Sequence, residues 1–325
     1  MKKETDAALM KSNSSNASIK LGYRLYATNF AKIFRTSWLC AVVYALVCSL
    51  LGTITLDSFI KLSMTIKNSP EQTIPYIQQH IGIVILATVL FIAGGLCEIA
   101  FYSCGLSQLY KHKTCGEMSL PSHWYSIDKA MLWRTVKAVA VNALFVTAAF
   151  CVIMGTFAVG IVAKMPHLAT SGLTISLGII LGFLLLPLIY VSFRYLLNPE
   201  TKIWTLIGKE YRTGLKHLGY IFAVSLFSAI ILLIAVNVLT LPTIILGLAN
   251  SQAYLGAMEG DPLNMPSYAP LLTAILVFIA GFIQVYVRMS IFFPFYYMTG
   301  SIETQEQERK QYKEETANED LTILT

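Results

Sequence analysis

Five stretches of the chain carry no Asp, Glu, Lys or Arg: Trp38–Leu56, Ala138–Ala163, Leu168–Phe193, Leu218–Met258 and Pro262–Val287. A sixth, Ile81–Cys97, is nearly as long before Glu98 interrupts it. A helix needs about 20 apolar residues to cross the hydrocarbon core of a bilayer, and each stretch reaches that length once its flanks are counted. In lipid a helix satisfies its own backbone hydrogen bonds, so helix is the only economical reading of these runs. Charged residues make up 13% of the chain, against roughly 25% in water-facing domains. The sequence therefore predicts an all-α, multi-pass membrane protein with six transmembrane helices. The spans fall near 37–56, 81–105, 136–159, 174–196, 218–241 and 271–296, inside a membrane domain over 20–298. Leu218–Met258 is too long for one span and too short for two plus a turn. Its helix is expected to break near Pro242, with the remainder along the outer interface. Residues 1–19 read as a disordered polar tail and 299–325 as a charged tail with some frayed helix.

The basic residues orient these spans. With the N-terminus inside, the inner segments hold 20 of the 24 Lys and Arg, Arg288 sits low in the last span, and the outer loops hold Lys61, Lys67 and Lys164. The positive-inside rule then places both termini in the cytoplasm, at a cell inner membrane. The net charge of +6 is accounted for by topology and by contact with anionic headgroups, and no nucleic-acid partner is expected. A cleavable leader is not expected, because the first apolar run starts behind a long polar tail and is full length for a span. None of the six cysteines falls in an outer loop, so no disulfide framework is expected.

Two-faced basic segments precede the odd-numbered spans. Residues 200–220 place Ile203, Trp204, Ile207, Tyr211, Leu215 and Leu218 on one helical face and Lys202, Lys209, Arg212 and Lys216 on the other. Residues 21–38 set Tyr23, Tyr26, Phe30, Ile33 and Phe34 against Arg24, Lys32 and Arg35, and 124–137 repeats the pattern less cleanly. Such segments describe amphipathic helices lying in the interface, apolar faces on acyl chains and cations on anionic inner-leaflet headgroups. With the echoes FIAGG (91–95) and FIAGF (278–282), and VSFRY (191–195) and VYVRM (285–289), they suggest an internal repeat of three hairpins, each led by an interfacial helix.

The segments YATNFAKIFRTSW (26–38) and TLIGKEYRTGLKHLGYIFAVSL (205–226) carry a family likeness. As a pattern over 21–298, the chain resembles the membrane-domain family found beside bacterial glycerophosphoryl diester phosphodiesterases, and related stand-alone six-helix inner-membrane proteins of unknown function. The resemblance implies a fold and a membrane. It supplies no chemistry and no functional residues, and the phosphodiesterase catalytic domain is not in this sequence.

Three ionisable residues stand inside the even-numbered spans. Glu98 lies 17 residues after Ile81, Arg288 17 after Leu271, and Arg194 20 after Thr174. A descent of 17 residues is about 26 Å, so all three sit at similar depth near the inner edge of the hydrocarbon. Three readings follow: Glu98 pins helices together through one arginine, or an unpaired arginine recruits a lipid phosphate, or Glu98 couples protons in a transporter. Asn142, Asn237 and Gln284 read as interhelical glue. His112, Cys115 and His123 match no zinc spacing and read as a solvated basic loop, so no metal or other cofactor is expected. Pro187 predicts a kink, Pro294 an exit from the membrane, and Gly94, Gly95, Gly178 and Gly182 close helix contact. No P-loop, G-x-S-x-G, H-E-x-x-H or dinucleotide fingerprint occurs. The functional expectation is a non-catalytic scaffold or lipid-interacting accessory protein with a membrane or cytoplasmic protein partner. The alternative is a small transporter or permease component using Glu98 with Arg194 or Arg288.

Overall fold

The computed structural model describes residues 12–68, 71, 73–118, 128–258, 260 and 265–323, and its ordered elements are helical. In chain order they are α1 (Ser15–Asn68), α2 (Thr73–Gln79), α3 (Ile81–Cys115), α4 (Lys129–Val162) and α5 (His167–Leu185). They continue with α6 (Pro187–Leu197), α7 (Ile203–Lys216), α8 (Leu218–Met258), α9 (Ala269–Met289) and α10 (Phe292–Ile323). Among the described residues six helical stretches are long and apolar enough to cross a membrane: α1, α3, α4, α5 with α6, α8, and α9 with α10. Successive spans pack as α1 on α3, α4 on α5, and α8 on α9, while α1 also lies against α9, α10 and α8. One end of the molecule gathers both ends of the described chain, the last turns of α3, the first of α4, all of α6 and α7, and α10. This is the basic end.

The buried core lies at that end. Its large, fully buried side chains include Ile33, Phe101, Leu109, Tyr190, Phe293, Tyr296, Tyr297 and Ile302. Farther along the spans burial falls away. In the most apolar parts of α3 and α4 only 6% of residues are buried in the protein. Val84, Val89, Leu144, Val159, Ile179, Leu233 and Ile245 stand exposed there, as hydrocarbon-facing residues must.

Several boundaries differ from the sequence expectation. Helix starts at Ser15 within the stretch read as a disordered tail, and residues 1–11 lie outside the described part. The start is tied down: Asn13 N–H donates to Ser301 Oγ at 2.9 Å, and the hydroxyls of Ser18 and Tyr220 share a 2.6 Å hydrogen bond. Segment 21–38 is no separate surface helix. It continues without interruption into the first span, in a helix of 54 residues, about 81 Å long at 1.5 Å per residue. Nothing between Ser15 and Asn68 forbids this, since the stretch contains no proline. Its aromatic face packs on protein only in part: Tyr26 meets Phe293 edge-on at 5.0 Å and Phe34 stacks on Tyr286 at 5.6 Å, while Phe30 and Phe34 stay 40% and 38% exposed. Of segment 124–137, residues 119–127 lie outside the described part, and Lys129 onward runs straight into the third span.

Prolines behave in three ways. Helix α8 runs unbroken through Pro242 for 41 residues. One lost backbone bond is cheaper there than leaving the helix in a medium where each unpaired group costs several kcal/mol. At Pro187, where a kink is expected, Leu186 separates α5 from α6 but keeps a helical backbone, at φ −55° and ψ −41°. At Pro294 the chain does not leave the helix. Pro294 sits in the first turn of α10, where its missing N–H has no intrahelical partner to lose, and the helix continues to Ile323 through the segment read as a charged tail.

The closest helix contacts come from other glycines than those the spacing suggested. A Cβ on Gly94 or Gly178 would make ordinary contact with Val47 at 3.6 Å or Ile153 at 3.8 Å and one on Gly95 or Gly182 would meet nothing within 4 Å, whereas one on Gly22 would lie 2.4 Å from Pro294 N and 2.7 Å from Phe293 C. Those neighbours are backbone and cannot swing aside. Gly22→Ala should therefore loosen α1 from α10 and cost about 1–3 kcal/mol, seen as a lower melting temperature in detergent. Gly219→Ala, with open space around its Cβ, is the control and should melt no lower than the parent.

Candidate functional site

The three intramembrane charges separate into two networks. Glu98 of α3 meets Arg288 of α9, with Oε1 accepting from Nη1 at 3.1 Å. Tyr102, one turn along α3, donates its hydroxyl to the same carboxylate oxygen at 2.5 Å. Arg288 also donates to Tyr44 Oη on α1 at 3.3 Å and reaches Gln284 Oε1 at 3.5 Å. This knot joins α3 and α9 to α1, the helix against which each of them packs most. Both charged partners remain partly exposed, at 25% for Glu98 and 35% for Arg288, which places the pair at the margin of the protein rather than in its core.

Arg194 takes no part in that knot. It lies in α6, paired with Glu210 of α7 through a short contact, with Tyr190 Oη at 3.0 Å and with Glu303 of α10 at 3.4 Å. It borders a polar cleft of about 790 Å³ at the basic end, lined also by Lys113, Asn198, Glu200, Glu306 and Lys310. Around it Lys113 donates to Asn198 Oδ1 at 2.9 Å, and His217 Nε2 faces Glu306 Oε1 at 3.1 Å. Arg134 of α4 donates to the carbonyls of Tyr195, Asn198 and Pro199 and stacks over the Tyr195 ring at 4.1 Å. A cation placed on the last carbonyls of α6 is the favourable pairing at a helix C-terminus. The arginine left over for a free phosphate in the sequence reading is thus occupied, because two acids from α7 and α10 reach it.

Helix α7 does stand as a separate two-faced segment, set off by Asn198 and Pro199 before it and by the turn at His217 after it. Its faces differ from the simple division. Ile203, Leu206 and Gly214 are buried, and a Cβ on Gly214 would lie 2.8 Å from the Pro187 ring. Trp204 is 61% exposed and Leu215 38% exposed. Spacing of about 100° per residue gives three sectors: one on protein, one of exposed apolar residues, and one of exposed Lys202, Lys209, Arg212 and Lys216. On α1, Arg24 and Arg35 are exposed and Lys32 half-exposed.

Of the remaining candidates, Asn142 donates to Ser192 Oγ at 2.8 Å, bridging α4 and α6, while Asn237 turns back on the Leu233 carbonyl of its own helix. His112 is buried and shares a 3.0 Å hydrogen bond with Tyr296 Oη. Cys115 is exposed, and His123 lies outside the described residues. No group of three metal-ligating side chains occurs among the described residues. Sequence reasoning missed Tyr102 and Tyr190, although each stands four residues from its charged partner and so shares its helix face. Glu210 and Glu303 had no such local sign.

Comparison with protein-family models, with curated proteins and with solved structures gave no match.

Removing one member of the Glu98–Arg288 pair leaves the other unpaired, while removing both does not. Arg288→Gln alone should cost roughly 1–3 kcal/mol, and the double variant Glu98→Gln with Arg288→Gln should recover part of that loss. A double-mutant cycle of detergent melting temperatures checks this. Additive single effects would show the two groups to be uncoupled.

Proposed function

We propose that this polytopic membrane protein is a non-catalytic scaffold or lipid-interacting accessory protein of a cell inner membrane, with both termini cytoplasmic. The observation that carries the reading is where the packing lies. The buried core is concentrated at the basic end, while the spans beyond it turn mostly exposed apolar residues outward. A protein built this way presents a firm, cation-rich platform on one membrane surface. Lipid contact elsewhere serves to hold it in place. The skew of Lys and Arg toward that end supports a cytoplasmic orientation, and exposed Lys202, Lys209, Arg212 and Lys216 on α7 suit anionic headgroups at up to about 1 kcal/mol each.

The transporter reading draws less support. A coupling carboxylate needs to exchange protons along a route, whereas Glu98 accepts from Tyr102 and Arg288 at once. Arg194 is held by acids of its own network, apart from Glu98. In the accessory reading the Glu98–Arg288 pair joins helices and nothing more.

The test is gentle extraction of full-length protein followed by native mass spectrometry of what it retains. The wild type should keep anionic lipid or a protein partner. The double variant Glu98→Gln with Arg288→Gln, if it melts like the wild type, should keep the same company. A correctly folded double variant that has lost its bound lipid or partner would move the function to the intramembrane pair.

A further inference from the structure

Between α4 and α5 the structure leaves an apolar cleft of about 390 Å³, bordered by Phe145, Ala148 and Val152 of α4, Leu181 and Leu185 of α5, and Tyr211 of α7. Its origin is local. The α4–α5–α6 hairpin closes toward the basic end through the hydrogen bond from Asn142 to Ser192 at 2.8 Å. It closes again toward the far end, where Gly160 packs tightly on Thr170. Between those clamps α4 offers Ala148 and Ala149, too short to reach across, and the opposite wall is interrupted at Leu186 before Pro187.

Helix α7 roofs the opening on the basic side. Tyr211 donates its hydroxyl to the Leu184 carbonyl at 2.7 Å, beside the interruption. This ties the roof to the wall and leaves the ring as an apolar surface over the cleft. Arg212 follows directly, about 100° around the helix, and Lys209 and Lys216 lie near it in the same sector. All three are exposed, and Lys209 and Arg212 make no hydrogen bond or ion pair among the described residues.

We propose that this cleft holds one acyl chain of an anionic phospholipid, whose phosphate is set against Arg212, Lys209 and Lys216 of α7. Two observations select this occupant. The walls are aliphatic and aromatic and open beside Leu184 and Phe183, both exposed on the hydrocarbon side, so what enters there is a hydrocarbon chain. Arg212, next in sequence to the cleft-lining Tyr211, is an exposed cation, so a negative headgroup suits the upper end of the chain. Arginine's planar fork matches a phosphate with two hydrogen bonds, and its long stem can reach from the helix toward the headgroup level. The proposal rests on the lipid-interacting reading above and adds a place and a class of lipid to it. On this account α7 is a gauge of one bound lipid as well as an anchor. Because Gly214 packs on Pro187 and Glu210 on Arg194, a lipid that shifts α7 also presses on the polar cleft at the basic end.

The experiment uses full-length protein in mild detergent, titrated separately with phosphatidylglycerol and phosphatidylcholine and read by native mass spectrometry. The wild type should hold one phosphatidylglycerol about tenfold more tightly than phosphatidylcholine. Ala148→Phe fills the cleft with an apolar side chain and should lose that tight lipid. Arg212→Gln should still bind lipid but with the preference levelled. If Ala148→Phe binds phosphatidylglycerol as the wild type does, the cleft is not the site, although the accessory reading stands. A wild type without preference overturns this proposal and the lipid-interacting reading it rests on, and leaves only the scaffold reading standing. A second measurement needs no variant. Phosphatidylglycerol with a photoactivatable diazirine on its acyl chain should label peptides 145–152 and 181–185 more heavily than the lipid-exposed stretch 168–180, and equal labelling contradicts the proposal.

Discussion

Within a bilayer the hydrophobic effect does not draw helices together, because the acyl chains are as apolar as the side chains they would replace. The rest of this structure follows from that constraint. Spans that gain little by touching one another stay exposed along most of their length, as α3 and α4 do. Cohesion has to come from where water or headgroups are near, or from polar groups that lipid cannot satisfy. In this molecule it comes from the basic end, where Phe101, Tyr190, Phe293 and Tyr296 are buried together. It comes also from a few polar ties among the spans, Glu98 to Arg288 and Asn142 to Ser192.

The same constraint explains how the two charge networks differ. The Glu98 knot joins α1, α3 and α9 near the hydrocarbon, using groups whose alternative partner would be lipid. The Arg194 network borders the basic-end cleft and joins α6, α7 and α10. Between them the two networks tie α1, α3 and α9, and α6, α7 and α10, to one base. The second hairpin, α4 with α5, joins that base at its basic-side end and reaches into lipid with little else beside it. Its open interior comes from the short side chains of Ala148 and Ala149 and the interruption at Leu186.

Much of this was legible in the residues, and the failures have physical causes. The six spans follow from charge-free length alone, which lipid makes nearly obligatory. The equal depth of Glu98 and Arg288 was readable because helix rise is constant. Which arginine Glu98 would choose was not, since that depends on how α9 and α6 are placed around α3. The face of 21–38 was seen, but its partner was misjudged. An aromatic stripe suits acyl chains and a neighbouring helix equally well, and here it meets Tyr286 and Phe293. In the same way a single hydrophobic sector omits Leu206 from the apolar face of α7, whereas the helix buries Ile203 and Leu206 on one flank and leaves Trp204 and Leu215 exposed on another. Gly22 and Gly214 were unreadable as contact points, since their partners, Pro294 and Pro187, are distant in sequence.

The central claim is that cohesion resides at the basic end and that the second hairpin is held chiefly there. Pairs of spin labels in lipid nanodiscs test it most directly. One pair joins exposed positions 114 and 202 at the basic end, and the other joins 162 at the tip of α4 to 248 near the far end of α8. The account predicts a narrow distance distribution for the first pair and a broad one for the second. A second pair as narrow as the first would contradict it.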